Sequence, residues 1–179
     1  MNRSFLPQKR HRAREMALQL LYALDIRRSQ TPEQALELFP LDEDPEIREY
    51  TRILTVGAWE RRLDIDNLIR EHVTGWRPER MVAVDRAALR MAIFESLFSK
   101  LTPVAVAISE AVELAKTFGT DESGKFVNGV LGRIVRNVPV DEPGQEEAAS
   151  ASADGGIPKP EEPRPDPEGT KAHAGDTDS

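Results

Sequence analysis

Apolar residues recur at helical spacing from Lys9 to Arg28, and this stretch constrains the fold more than any other. At about 100° per residue, one side of the predicted helix is apolar. That side consists of Ala13, Met16, Ala17, Leu20, Leu21 and Leu24. The opposite side carries polar residues together with Leu18 and one aromatic residue, Tyr22. We therefore expect an amphipathic helix that packs on a core and turns Tyr22 toward water or a partner.

The same stretch opens with a cationic run. Arg12 and Arg14 flank the apolar side, whereas Arg10 would fall on it, so we expect Lys9 and Arg10 to form a mobile arm before the helix. Arginines bind and neutralise phosphates, and an exposed ring such as Tyr22 can stack on a base. This combination suits single-stranded nucleic acid. For a basic helix taken alone, however, a solvated surface is the favoured interpretation.

The chain up to residue 137 reads as helices throughout. Thr31-Pro32 and Asp44-Pro45 each place a capping side chain before a proline at the first helical position. After the first helix, helices are predicted at about 32–38, 45–71, 84–98, 104–118 and 125–137. Arg61 interrupts the apolar side of the long 45–71 segment, which indicates a bend or a break. Because no alternating strand pattern of useful length is present, we expect an all-α bundle of about six or seven helices.

Three residues in these segments carry specific expectations. Glu95 lies on the apolar side of the 84–98 segment, so its carboxylate must be hydrogen-bonded or paired. A structural role is favoured over a catalytic one because no second acid or base stands at matching spacing. Gly57 either lowers the stability of its helix by a tolerable amount or allows another helix to cross closely. Phe118, at the end of the 104–118 segment, is expected to face the core.

The composition argues against an enzyme. The chain has no cysteine and three widely separated histidines, so we expect no thiol nucleophile and no metal site. It has no glycine-rich phosphate loop, no dinucleotide fingerprint and no nucleophile elbow, and we expect no cofactor. The amino terminus lacks a hydrophobic signal core, and no apolar run approaches the roughly 20 residues of a membrane span. We expect a cytoplasmic protein.

Charge is distributed unevenly along the chain. The net charge is −7, yet residues 137–179 carry 11 acidic and 3 basic residues, whereas the first 28 carry 7 basic and 2 acidic ones. Residues 138–179 are rich in proline, glycine, alanine, serine and acids, which predicts a disordered tail after a folded domain of residues 1–137. One hypothesis is that this acidic tail folds over the basic end and competes with the nucleic acid, so that its removal tightens nucleic-acid binding at low salt.

Three stretches of the chain carry a recognisable combination of residues. They are Arg12-Ala13-Arg14-Glu15 running to Leu21-Tyr22; Val84-Asp85-Arg86-Ala87-Ala88-Leu89-Arg90-Met91-Ala92 with Glu95; and Val106-Ala107-Ile108-Ser109-Glu110-Ala111-Val112-Glu113-Leu114-Ala115-Lys116 followed by Lys125-Phe126-Val127-Asn128-Gly129-Val130-Leu131. Together, in this order and spacing, they resemble the NusB family of transcription antitermination factors. The resemblance runs from about Arg10 to Arg136, and the last stretch is its most specific part.

The resemblance implies an all-helical fold of two packed subdomains and a factor that binds boxA RNA, a short single-stranded signal in nascent ribosomal transcripts. It also implies a heterodimer with NusE, a protein of the small ribosomal subunit, that acts on RNA polymerase. The arginine-rich amino-terminal segment of the family contacts RNA, which here implies Arg10, Arg12 and Arg14, with Lys9 as a further candidate. His11 departs from the arginine run, so one RNA contact is expected to be weaker or pH-dependent.

Further residues are implied by position. Tyr22 matches a tyrosine of the family's first helix, and Lys125 and Phe126 match the turn before the last helix, which also lies near the RNA. For Phe126, a core position is an equally strong interpretation. Asp85 and Arg86 match the region that faces the protein partner, although they equally fit an ordinary solvated pair.

Two other interpretations remain open. Some methyltransferases of ribosomal RNA carry an accessory RNA-binding domain that resembles NusB, but they also need catalytic cysteines, which this chain lacks. Alternatively, the chain is a helical adaptor in which NusE or self-association matters and RNA does not. Some members of the family self-associate and hide the basic surface, so both a monomer and a homodimer are considered.

Overall fold

The computed structural model describes residues 6–75, 77 and 80–139. Within these ranges the chain forms seven α-helices and no strand. The helices are α1 (Leu6–Ile26), α2 (Pro32–Leu38), α3 (Pro45–Glu60), α4 (Arg62–His72), α5 (Ala83–Ile93), α6 (Val104–Phe118) and α7 (Ser123–Asn137). A π-helical turn, Phe94–Phe98, continues α5. The all-α prediction is confirmed. The predicted tail lies outside the described residues from position 140 onward.

Two helices begin at the capping signals that the sequence contains. At the start of α2, the amide of Gln34 donates to the Thr31 hydroxyl at 3.3 Å, and the amide of Thr31 donates to the Gln34 side chain at 3.0 Å. At the start of α3, the amide of Glu46 donates to the Asp44 carboxylate at 2.8 Å. These bonds satisfy amides that have no partner inside the helix, which explains why the local sequence sets these boundaries.

The predicted interruption at Arg61 is confirmed. Arg61 separates α3 from α4, and the break turns its side chain to the surface instead of into the core. One turn earlier, Gly57 allows α3 to cross the π-helical turn closely. A Cβ atom at Gly57 would lie 2.0 Å from the ring of Phe94, so the close-crossing interpretation of this glycine is the correct one.

Helix α5 is the centre of the bundle. It contacts α1, α3, α4, α6 and α7, and every residue from Ala87 to Ile93 is buried. One core cluster extends through these helices, and a smaller cluster seats α2 against α1. This packing fixes the orientation of α1, whose remaining surface carries most of the predicted site. Among the described residues, no helix combines the length and hydropathy that a membrane crossing requires.

Two predictions about α1 are wrong. The helix begins at Leu6, so Lys9 and Arg10 belong to it and do not form an arm. Arg10 does fall on the inner side, but its guanidinium lies 3.6 Å from the centroid of the Tyr50 ring, where cation–π attraction makes the position tolerable. Leu18, expected to face outward, is buried because α1 is covered by both α3 and α5.

Candidate nucleic-acid interface

Lys9 lies on the outer side of α1, against the start of α3. Its ammonium is 2.8 Å from the Asp44 carboxylate and 2.7 Å from that of Glu46. Hydrogen bonds to these two carboxylates raise the pKa of Lys9, and the bond from Lys9 lowers the pKa of Asp44. All three side chains reach water, so this pairing is of the weak, exchangeable kind, and Lys9 remains available to another anion.

Arg12 is the most exposed arginine of the cationic run. Its guanidinium lies 3.0 Å from Glu15 on the same helix and 3.7 Å from Asp42 in the loop before α3. Its neighbour His11 is held differently, because its Nδ1 atom lies 2.8 Å from the Glu110 carboxylate of α6. The basic face of α1 is therefore lined by carboxylates, and a phosphate that binds here must replace them.

Arg10 has one hydrogen-bond donor without a partner among the described residues. Its Nη1 atom is buried and makes no hydrogen bond to any described residue, while the guanidinium stacks over Tyr50. The side chain borders a mostly apolar cleft of about 410 Å³ between the first turns of α1 and α3. Because an unsatisfied buried donor is costly, a phosphate or carbonyl oxygen that reached it would gain a strong bond.

Arg14, predicted to flank the apolar side of α1 and implied as an RNA contact by the resemblance, is a buried residue. Only 3% of its side chain is exposed. Its guanidinium donates to both oxygens of the Glu95 carboxylate at 2.6–3.1 Å. The hydroxyls of Tyr50 and Thr102 donate to the same carboxylate. The prediction that Glu95 must be paired is confirmed, and its partner is Arg14.

The pKa values of Arg14 and Tyr50 are both raised in this buried network, so both groups keep their protons. Burial acts to lower the pKa of Arg14, but the hydrogen bonds and charge of Glu95 outweigh it and raise the pKa. Burial, followed by the charge of Glu95, raises the pKa of Tyr50. Arg14 therefore stays charged and bound, with no face for a nucleic acid, and we do not retain it among the proposed RNA contacts.

Tyr22 faces outward, as the helical spacing predicts, and 43% of it is exposed. It borders a shallow groove of about 410 Å³ that also contains Phe118, whose exposed fraction is 39%. The expectation that Phe118 faces the core is wrong, because this last residue of α6 is partly exposed beside Tyr22. Two partly exposed rings therefore border one groove, a geometry suited to base stacking.

Lys125 and Phe126, at the start of α7, differ in exposure, although the family resemblance assigns both to the region near the RNA. The side chain of Lys125 is 79% exposed, and its carboxylate neighbour among the described residues is Glu122 at 3.2 Å. Phe126 is partly buried and packs against the core cluster. The structure thus favours the core interpretation of Phe126 and leaves Lys125 as the surface cation.

Asp85 and Arg86, predicted to face a protein partner, lie mostly inside the fold. Asp85 is 5% exposed, and its Oδ1 atom has no hydrogen-bond partner among the described residues. The Arg86 Nε atom donates to Asp25 of α1 at 2.6 Å. The alternative of an ordinary solvated pair is wrong, because Asp85 is buried and Arg86 connects α5 to α1 through Asp25. They have little surface to offer a partner directly.

Comparison with protein-family models places this helical body in a known group. The model of the NusB family matches residues 11–136, which is most of the chain. The chain belongs to the NusB family. The expectation of a transcription factor and not an enzyme is thereby confirmed, because the NusB relatives are transcription antitermination proteins.

Relatives and solved structures agree with this assignment. The transcription antitermination protein NusB of Symbiobacterium thermophilum is 44% identical over 138 residues, covering 72% of this chain and 90% of that protein. That of Chloroflexus aggregans is 44% identical over 139 residues, covering 75% and 92%. The solved NusB structure from T. maritima is 39% identical with a TM-score of 0.67, covering 78% of this chain and 96% of that one.

One solved NusB structure contains partners. It is a complex of the antitermination factors NusB and NusE with double-stranded RNA. It is 29% identical to this chain with a TM-score of 0.64, covering 73% of this chain and 98% of that one.

Proposed function

We propose that this NusB-family chain binds a boxA-type single-stranded signal in ribosomal transcripts together with NusE, as part of an antitermination complex on RNA polymerase. The observation that supports this most directly is the outer face of α1, where Lys9, Arg12 and the exposed Tyr22 lie on one helix. A solved relative that contains NusE and RNA supports the same class of partners. Action on nascent transcripts would place the protein in the cytoplasm.

In this proposal the outer cations bind the RNA backbone. Lys9, Arg12 and Lys125 exchange their carboxylate partners, all of which are at least partly exposed, for phosphates. This exchange costs little because such surface pairs contribute about 0–1 kcal/mol. Each neutralised phosphate releases counterions, so affinity falls as salt rises. Arg10 contributes through its unpaired Nη1 atom, which needs an acceptor.

The groove that contains Tyr22 provides the contact to bases. A base stacked on an exposed ring contributes about 1–3 kcal/mol without specifying its identity. Phe118 offers a second ring in the same groove, and Phe126 acts indirectly by seating the first turn of α7. Because stacking needs unpaired bases, the groove favours a single strand over a duplex.

NusE is proposed to bind near the start of α5, where the family resemblance places the partner. Asp85 and Arg86 would act there mainly by fixing α5 against α1, since both are largely buried. The same surface could instead support a homodimer. The methyltransferase interpretation is not retained, because relatives matched over 90% or more of their own length are antitermination proteins.

The test is a titration of the full chain, with and without NusE, against a boxA-type strand, a scrambled strand of equal length and a duplex of the boxA-type strand. The proposal predicts that NusE tightens binding to the boxA-type strand more than to the other two. Equal affinity for boxA-type and scrambled strands in the presence of NusE would contradict the proposal that the chain recognises the boxA-type sequence. Binding to NusE without any RNA binding would support the adaptor interpretation instead.

A further inference from the structure

A cleft at the carboxyl-terminal end of α1 is not used by the RNA contacts proposed above. It has a volume of about 460 Å³ and is bordered by four arginines from three parts of the fold. Arg28 follows α1, Arg62 begins α4, and Arg86 and Arg90 lie on α5. We call it the arginine cleft. Four guanidinium groups around one opening need a physical explanation, because like charges repel.

Two of the four arginines are held in place by buried carboxylates. Asp25 lies between them, 2.6 Å from the Arg86 Nε atom and 3.2 Å from the Arg90 Nη1 atom. Asp66 accepts two further bonds from Arg90, at 3.0 Å and 2.7 Å. These pairs fix the orientation of Arg86 and Arg90 before any ligand arrives, which reduces the entropy that binding would cost.

The other two arginines have no carboxylate partner among the described residues. Arg62 donates to the backbone oxygen of Trp59 at 2.7 Å, and its guanidinium lies 4.6 Å from the Trp59 ring. Arg28 is exposed and makes no hydrogen bond or ion pair to the described part of the chain. Within the described part of the chain, Asp25 and Asp66 pair with Arg86 and Arg90 and leave Arg28 and Arg62 without a carboxylate.

We propose that the arginine cleft binds a backbone phosphate of the same RNA strand, beyond the contacts on the outer face of α1. Guanidinium groups match phosphate oxygens through paired hydrogen bonds, whereas a metal ion would be repelled. The inference rests on the proposed function. From Arg12 to the end of α1 is about 20 Å at 1.5 Å per residue, so a strand that follows the helix reaches both sites. Arg28 and Arg62 bind the phosphate, and Arg86 and Arg90 strengthen the local potential.

The first experiment compares the salt dependence of RNA binding in full-length variants. Arg28→Ala with Arg62→Ala should weaken binding to the boxA-type strand about tenfold and lower the magnitude of the salt slope by about 0.7, the value for one lost phosphate contact on a single strand. The matched control, Arg133→Ala with Arg136→Ala, removes the same charge from the exposed side of α7 and should leave both values nearly unchanged.

A second measurement follows the cleft directly through Trp59. Replacing Trp76 by Phe leaves Trp59 as the only tryptophan, and its fluorescence reports on the cleft. RNA should change this emission at the concentration where RNA binds, and Arg28→Ala in the same background should shift the response to higher RNA concentration. Inorganic phosphate alone and an acidic peptide of equal charge serve as competing ligands.

The outcomes separate this inference from the proposed function. If the wild-type chain binds the boxA-type strand and the Arg28/Arg62 variant matches its α7 control, the cleft proposal is wrong while the proposed function stands. If Trp59 responds to inorganic phosphate or the acidic peptide but not to RNA, the cleft serves another anion and the proposal is also wrong. If the wild-type chain binds no RNA, both proposals fail together.

Discussion

Arg12 and Arg14 stand two residues apart on α1, in the same cationic run, and lie in two different regions of the molecule. Two residues turn a helix by about 200°, so one guanidinium faces water while the other enters the bundle. Arg12 has exposed carboxylate neighbours, and Arg14 has Glu95, Tyr50 and Thr102. The difference teaches that the packing around a cation, and not its place in a basic run, decides whether it binds a ligand or holds the fold.

The largest expected effect comes from breaking the buried region. Arg14→Met should reduce the free energy of unfolding by about 3–5 kcal/mol, because it leaves the Glu95 carboxylate buried without its counter-charge. Thermal or urea unfolding measures the change. The matched double variant, Arg14→Met with Glu95→Leu, should be more stable than Arg14→Met alone, since no uncompensated charge remains. A double variant no more stable than the single one would show that the pair is not the main cause.

The same network predicts how stability depends on alkaline pH. The pKa of Tyr50 is raised by burial and by the charge of Glu95, so the folded state retains a proton that the unfolded state loses above pH 10. Stability from this group is therefore fully present below pH 10 and declines as pH rises through the folded pKa. Melting temperatures measured from pH 8 to 11 should fall more steeply for the wild type than for Tyr50→Phe. Parallel curves would contradict this assignment.

Tyr22→Ala tests the outer region with a smaller effect. Loss of a stacking ring should weaken RNA binding by about 1–3 kcal/mol, while the melting temperature stays nearly unchanged because the ring is 43% exposed. Leu18→Ala, at a buried position of the same groove, is the control for a residue that belongs to the core. It should cost about 2–5 kcal/mol of stability. A large stability loss in Tyr22→Ala would show that the ring belongs to the core.

Arg12→Ala should give a smaller, purely electrostatic effect. Its salt slope for RNA binding should be smaller in magnitude by about 0.7, and its stability should change by no more than about 1 kcal/mol. Arg133→Ala on α7 removes the same charge away from the proposed surface and should behave as the wild type. An unchanged salt slope in Arg12→Ala would remove this residue from the interface.

The smallest expected effect is a gain. Asp44→Asn with Glu46→Gln should tighten RNA binding about two- to threefold, because Lys9 loses its two carboxylate partners and is free for phosphate. Asparagine still caps α3, so the fold should be kept. Glu113→Gln on α6 is the control for a general loss of negative charge. If this control tightens binding equally, long-range charge and not the release of Lys9 is responsible.

The same two regions show what the sequence could predict. Helix starts at Thr31 and Asp44, the break at Arg61 and the exposure of Tyr22 follow from local chemistry and helical spacing, and the structure has all of them. The position of Arg14 did not follow, because its partner Glu95 is 81 residues away and becomes a neighbour only in the folded chain.

The other errors have a similar origin. The helix was expected to start after Arg10, since a cation on the apolar side looks unfavourable, but the Tyr50 ring of α3 accepts it. The predictions for Leu18 and Phe118 used only the spacing within their own helices, whereas their exposure depends on which other helices pack against them. The cationic run and the exposed Tyr22 indicated single-stranded nucleic acid, whereas boxA and NusE came from the family resemblance, because spacing within one sequence does not identify a particular RNA or protein partner.

The central claim is that RNA lies along the outer face of α1, and photo-crosslinking tests it most directly. A boxA-type strand that carries a photoreactive uridine is bound to the full chain, and the complex is irradiated. The crosslinked residues are then identified by mass spectrometry. The account predicts crosslinks at Tyr22 and its groove neighbours, with none at Arg14. Crosslinks confined to helix faces away from α1, at any RNA concentration that saturates binding, would contradict it.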